Sequence, residues 1–228
     1  MTSSQNNKIN AIVRACQLIM RMNQARPDAR QSETMYYQML TNYFTRLLNA
    51  RENGDFVAAH TVFFPAELIY AMDMVPMHAE TTTWTISLFT GECSDILEAG
   101  SQLGLATEIC TPHRGLAGAF ALGSLPCPDV MLWSNMVCDN TAKSGELIME
   151  LCDCPGFFID RPFKDSEYEV QYLVGELEDM VRFLEEKSGR KMNWDKLAEI
   201  VARMDRQIEL IRQIDQLRKP VPTPFRSQ

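Results

Sequence analysis

Between residues 55 and 160, short apolar or β-branched runs alternate with stretches of helical periodicity, and this alternation constrains the fold more than any other feature of the chain. The runs are Phe56 to Phe64, Val75 to Met77, Val130 to Trp133 and Gly156 to Ile159, with Ala66 to Met72 reading as helix between the first two. Connections too long for hairpins point to parallel strands joined by crossover helices. The predicted class is therefore α/β: a parallel-sheet βαβ domain of Rossmann or flavodoxin-like type, with N-terminal helices and two long C-terminal helices.

The flanks read as helix. Ile9, Ile12, Val13, Cys16, Ile19 and Met20 recur at helical spacing, as do Met35, Met39, Leu40, Tyr43, Phe44 and Leu47, with a break near Pro27. A third stripe, Val170, Leu173, Val174, Leu177, Met180, Val181 and Leu184, predicts a helix over 166–187 that stops at Gly189. A fourth begins near Asn193, a good capping residue, and carries Trp194, Leu197, Ile200, Val201, Met204, Ile208 and Ile211. The chain then divides into a helical segment over 1–54, an α/β domain over 55–162, a long helical pair over 163–218, and a proline-rich tail or linker over 219–228.

A formal charge of -8 with a pI near 5.0 makes no basic stripe, so neither nucleic acid nor an anionic membrane is an expected partner. No apolar run approaches the roughly 20 residues of a membrane span, and Met1-Thr2-Ser3-Ser4-Gln5-Asn6 lacks the order of a signal peptide, which predicts a cytoplasmic protein. In a reducing compartment the seven scattered cysteines are thiols, ligands or core filler, and the 14 methionines read as packing.

Ligands of open parallel sheets gather outside the carboxyl ends of the strands. Cys110 and Cys138 each read as closing a buried β-element and opening a helix. A helix N-terminus favours thiolate over thiol, and thiolates there hold soft metals or iron–sulfur clusters. The competing reading is core filling, since free cysteine is among the most buried residue types. Two sulfurs 28 residues apart also differ from the knuckle of a structural zinc site. In Cys152-Asp153-Cys154 the sulfurs of an extended segment point opposite ways, and Cys127 and Cys16 read as structural. Glu67, in the first turn after Pro65, and the hydroxyl of Thr61 are candidates to face the same crevice, against an ordinary strand-to-helix transition. His60, His78 and His113 lack the spacing of a helical zinc site, although His113 lies only three residues past Cys110. Neither a dinucleotide fingerprint nor a phosphate loop is present, and Gly115-Leu116-Ala117-Gly118 reads as close helix packing.

In their order along the chain, several segments resemble the 2-hydroxyacyl-CoA dehydratase and benzoyl-CoA reductase family. They are Phe64-Pro65-Ala66-Glu67-Leu68-Ile69-Tyr70-Ala71 with Val75-Pro76, Glu108-Ile109-Cys110, Leu125-Pro126-Cys127-Pro128-Asp129, Cys138-Asp139, Gly156-Phe157-Phe158-Ile159-Asp160-Arg161-Pro162, and the helix ending Lys187-Ser188-Gly189-Arg190-Lys191. The resemblance covers roughly residues 55–215. It implies a [4Fe–4S] cluster held by three cysteines per subunit, two of them similar to Cys110 and Cys138, with the third in a second α/β domain that this chain lacks. Cys93, Cys127, Cys152 and Cys154 do not match that third ligand.

The chemistry so implied is one-electron reduction of a CoA thioester in anaerobic metabolism. An ATP-dependent iron–sulfur activator protein supplies the electron, and either a 2-hydroxyl leaves as water or an aromatic ring is reduced. Thr61 and Glu67 become catalytic candidates, a second subunit of the same family becomes a partner, and the 228-residue chain alone is expected to be inactive. No residue pattern supports a flavin. Two other readings are an assembly subunit without a cluster, whose long C-terminal helices pack on a partner, and a metal-binding electron-transfer module using Cys110, Cys138 and one sulfur of the Cys152–Cys154 pair.

Overall fold

The computed structural model describes residues 2–222; the last part of the proline-rich tail, 223–228, lies outside the described residues. Helix α1 (Ser3–Gln24) starts at a capping box, in which Thr2 Oγ1 accepts from the Gln5 amide and the Gln5 side chain accepts from the Thr2 amide. Gln5 Nε2, on the side chain, also donates to the carbonyls of Gly123 and Leu125, tying this helix to a loop far along the chain. With α2 (Gln31–Asn49) it forms a hairpin whose inner face, Ile9, Ile12, Cys16, Phe44 and Leu47, is closed to solvent.

The strands are β1 (Val57–His60), β2 (Val75–His78), β3 (Val130–Ser134) and β4 (Gly156–Ile159), all parallel in the order β2-β1-β3-β4. Helix α3 (Glu67–Ala71) joins β1 to β2. The β2–β3 connection holds α4 (Ala79–Thr90), α5 (Cys93–Gln102) and α6 (Thr111–Ala121), and α7 (Asn140–Cys152) joins β3 to β4. After β4 come α8 (Glu167–Ser188) and α9 (Trp194–Arg218). The chain leaves β1 toward β2, then returns across β1 to β3, so its direction of travel reverses between β1 and β3. Such a switch point leaves a crevice outside the carboxyl ends of those two strands.

Alternation along the strands builds two cores. Val57, Ala59, Val75, Met77, Met131 and Trp133 face the helical hairpin together with α4, α6 and α7. Ala58, Val130, Leu132 and Ile159 face α3 and α8, where Met180 and Leu184 are fully closed off. Each such side chain contributes about 1.5–3 kcal/mol by leaving water. Close packing at Gly118 is as the sequence suggests: a Cβ there would overlap the Ile96 carbonyl of α5.

Three expectations change, and the exposure of the last two helices follows them. The first strand ends at His60 rather than Phe64, because Phe63 adopts the left-handed conformation (φ 58°) and turns the chain. Cys110 follows a turn, not a strand, and becomes the N-cap of α6. Cys127 and Cys152 are joined as a disulfide with Cα atoms 5.4 Å apart, so they are not free thiols. On α8 only Met180, Val181 and Leu184 of the predicted stripe are buried, while Val170 and Val174 stay exposed. No residue of α9 is buried: Leu197 and Ile200 pack partly beside α3, and every residue from Asp205 to Arg218 is exposed. No helix of the described residues is long and apolar enough to cross a membrane.

Candidate functional site

The carboxyl edge of the sheet carries the chemistry. The loop after β1 brings Thr61 to the crevice, the end of β2 brings His78 and Glu80, the N-terminus of α6 brings Cys110 and His113, and the loop after β3 brings Cys138. Cys138 is held by its neighbours rather than by a strand. Thr141 Oγ1 donates to the Cys138 carbonyl at 2.6 Å and shares its proton with the Ser134 carbonyl, which pins the loop to the first turn of α7.

Behind the thiol lies a buried polar chain. Cys138 Sγ is 3.5 Å from His113 Nε2, and His113 Nδ1 is 2.9 Å from Ser144 Oγ. Ser144 reaches the Asn140 carbonyl at 3.2 Å, and Asn140 Nδ2 lies 3.7 Å from the same sulfur. Both His113 and Ser144 are buried, and burial pushes the His113 pKa down against the opposing charge of Glu80.

Across the crevice, Glu80 Oε1 accepts from the Val62 amide at 3.1 Å, which anchors the loop after β1. Its other oxygen, Oε2, is buried without a hydrogen-bond partner among the described residues, and so is Thr61 Oγ1. A buried polar atom without a partner costs about 1–3 kcal/mol, so two on one edge mark where a ligand's polar atoms fit. Glu67 is half-buried at the start of α3, and no polar contact among the described residues joins it to Thr61, Cys110 or Cys138.

Thr61, Cys110 and Cys138 therefore stand around one edge. The Cys152–Cys154 pair does not: Cys152 closes α7 and Cys154 lies just past it, and the helix's 13 residues put the pair about 20 Å from Cys138 at the opposite edge. Burial and the charge of Asp129 push the Cys154 thiol up to about 11, which disfavours the thiolate that a metal needs. Cys110 and Cys138 are free and half-buried at two helix N-termini, a setting that suits thiolate donors. They are two donors and not a complete set: among the described residues no group of three or more His, Cys, Asp or Glu is placed to hold a metal ion.

Sequence reasoning set the histidines aside, and all three lie at this edge. His60 and His78 are register partners on neighbouring strands, their rings in edge-to-face contact with centroids 5.1 Å apart. The available signal was positional: each is the last residue of an apolar run, Val57-Ala58-Ala59-His60 and Val75-Pro76-Met77-His78, and so falls at a carboxyl end. A cavity of about 630 Å³ at the turn end of the α1–α2 hairpin, lined by Ile19, Arg26 and Tyr36, shares no lining residue with this edge.

The family model described as 2-hydroxyglutaryl-CoA dehydratase, D-component, matches residues 61–228. The chain is similar to the (R)-2-hydroxyisocaproyl-CoA dehydratase alpha subunit of Clostridioides difficile, with 23% identity over 183 residues, 76% of this chain and 45% of that protein. It is also similar to the (R)-phenyllactyl-CoA dehydratase alpha subunit of Clostridium sporogenes, with 24% identity over 163 residues, 68% of this chain and 40% of that one. Lactoyl-CoA dehydratase subunit alpha of Anaerotignum propionicum is 23% identical over 199 residues, 77% of this chain and 47% of its own length. The chain thus spans about half the length of the curated relatives it matches.

Proposed function

The chain belongs to the 2-hydroxyglutaryl-CoA dehydratase D-component family, and from that premise we propose that it is part of a lyase that removes water from a 2-hydroxyacyl-CoA thioester. The relatives named above are dehydratases, which favours dehydration over ring reduction. The observation that carries the reading is the meeting, at one sheet edge, of two free thiols at helix N-termini with the unpartnered oxygens of Thr61 and Glu80.

Cys110 and Cys138 would hold one side of an iron–sulfur cluster, with a third sulfur from outside the described residues. When bound, a cluster of this kind supplies single electrons at low potential. The chain's own side chains have separate tasks. Loss of water from a 2-hydroxyacyl thioester removes the hydroxyl from C2 and a proton from C3, so the site needs a group that accepts that proton. Glu80 Oε2, buried and without a hydrogen-bond partner among the described residues, fits this task, and the Thr61 hydroxyl fits hydrogen bonding to an oxygen of the thioester. Glu67, at the start of α3, would face the mouth of the same crevice. Partners in this reading are a second subunit of the family and an ATP-dependent activator that delivers the electron. The four regions set out from the sequence, 1–54, 55–162, 163–218 and 219–228, serve in it as a helical platform, the cluster domain, a helical pair that carries the subunit contact, and a proline-rich tail or linker.

The test is anaerobic reconstitution of the full chain with ferrous iron, sulfide and a small dithiol able to fill open iron positions. Bound iron and visible absorption should fall in Cys110→Ala and in Cys138→Ala and vanish in the double variant, while Cys16→Ala leaves them intact. Equal iron in the wild type and the double variant overturns the assignment.

A further inference from the structure

The backbone fixes which nitrogen of each ring at the β1–β2 end of the crevice carries the proton. His60 Nδ1 lies 3.0 Å from the Thr61 carbonyl, which only accepts, so Nδ1 bears the hydrogen and Nε2 is a bare acceptor. The His78 side chain caps α4, its Nδ1 accepting from the Thr81 amide at 3.2 Å, so Nδ1 offers a lone pair there and the ring N–H sits on Nε2. Glu80 Oε2 approaches that same Nδ1 at 3.5 Å without displacing the amide. Two rings in edge-to-face contact, on the same face of neighbouring strands, therefore offer one acceptor and one donor. A group that both donates and accepts through a single oxygen complements this pair, and that group is a hydroxyl.

We propose that His60 and His78 form a hydroxyl-binding pair for the ligand of this crevice, His60 Nε2 accepting the hydroxyl proton and His78 Nε2–H donating to its oxygen. The inference rests on the reading of that ligand as a 2-hydroxyacyl-CoA thioester. The hydroxyl is either the one on C2 of the acyl group or the one on the pantetheine arm. Burial and the neighbouring His78 hold the His60 pKa down at about 4, which keeps the ring neutral at pH 7 and its acceptor available.

Calorimetric titration of the full chain compares a 2-hydroxyacyl-CoA, the matching acyl-CoA without the 2-hydroxyl, and the 2-hydroxyacyl thioester of a CoA analogue that carries hydrogen in place of the pantetheine hydroxyl and is otherwise intact. A C2 contact appears as about tenfold weaker binding of the second compound, a pantetheine contact as about tenfold weaker binding of the third. His60→Leu and His78→Asn, the latter retaining a side-chain cap, should each shrink that difference to within twofold. A difference that survives both substitutions, or none in the wild type, overturns the proposal.

Because a buried substitution can disturb folding, the wild-type rings are also read directly by long-range proton–nitrogen correlation. The free chain should show His60 protonated at Nδ1 and His78 at Nε2, and only the hydroxyl-bearing compound should shift His60 Nε2. The opposite tautomers, or equal shifts from the hydroxyl-free compound, overturn it. Histidines that respond in a chain failing the iron test would leave this pair standing and remove the cluster reading alone.

Discussion

Acid should weaken this fold through His60 at a pH where its carboxylates are still ionised. The imidazole is buried beneath Phe64, beside the ring of His78 and against the Thr61 carbonyl, and burial is the main reason its pKa falls from 6.5 to about 4. An unfolded chain returns it to the ordinary value. The unfolded state then takes up the proton first as pH falls, so the contribution is whole above pH 6.5, declines between 6.5 and 4, and is flat below. A separation of roughly 2.5 units at 1.36 kcal/mol each gives a total loss of about 3 kcal/mol, and about 1.3 kcal/mol of it arises between pH 7.5 and 5.5. Urea unfolding at those two pH values measures the change, with His60→Gln and His60→Leu as references that lack the titrating ring. Whatever their absolute stability, both variants should lose about 1.3 kcal/mol less than the wild type over this interval. His113, also pushed down by burial, titrates in the wild type and the variants alike and cancels in the difference. The carboxylates held low by ion pairs or hydrogen bonds, such as Glu92 with Lys8 and Ser124, lose their contribution at lower pH. A wild-type loss equal to that of both variants would refute the burial of a neutral imidazole at this strand end.

Gly118→Ala should cost about 1–3 kcal/mol, seen as a lower urea midpoint, because the added methyl must push α6 away from the Ile96 carbonyl of α5. Reducing the disulfide between Cys127 and Cys152, which closes a loop of 25 residues, should lower stability by about 3 kcal/mol. Cys152→Ala should start at the lower melting temperature and show no response to reductant. Ile211→Glu together with Ile214→Glu should leave the melting temperature within about 2 °C of the wild type, since both side chains lie on a stretch of α9 whose residues are all exposed; a large drop would show that this stretch is packed.

The fold was legible where a local pattern and its burial agree. Four apolar runs separated by helical stretches give parallel strands almost by elimination, and all four appear within a residue or two of their expected limits apart from the end of the first. That end depends on Phe63 taking a positive φ, which no propensity of phenylalanine announces. Helix α4 was missed because α1, α5, α6 and the sheet surround it and leave it little solvent face. Thr82, Thr83 and Ser87 of α4 are buried, and their hydroxyls bond back into the helix, so the polar residues that usually mark an exposed side lie inside. The α9 stripe was read correctly as apolar, but periodicity carries no information about whether a partner is present to cover it.

The site was legible by type and not by neighbour. Cysteines before helices pointed to the carboxyl edge, and that placement survives the loss of the strand expected before Cys110, because a helix N-terminus aims its amides at the crevice whichever element precedes it. What spacing could not supply is the pairing of His113 with Cys138, or of His60 with His78, since each pair forms across elements whose adjacency is fixed only by the strand order. The switch between β1 and β3 puts the loop of Thr61 opposite the loop of Cys138. The position of β2 outside β1 then sets both imidazoles side by side at the far end of the same edge. An edge so arranged has thiols at one end, hydroxyl-matched imidazoles at the other and the Glu80 carboxylate between them. That separation matches a ligand held at an oxygen several ångströms from the point where electrons enter, and His60→Leu should therefore weaken ligand binding without lowering the iron retained by Cys110 and Cys138.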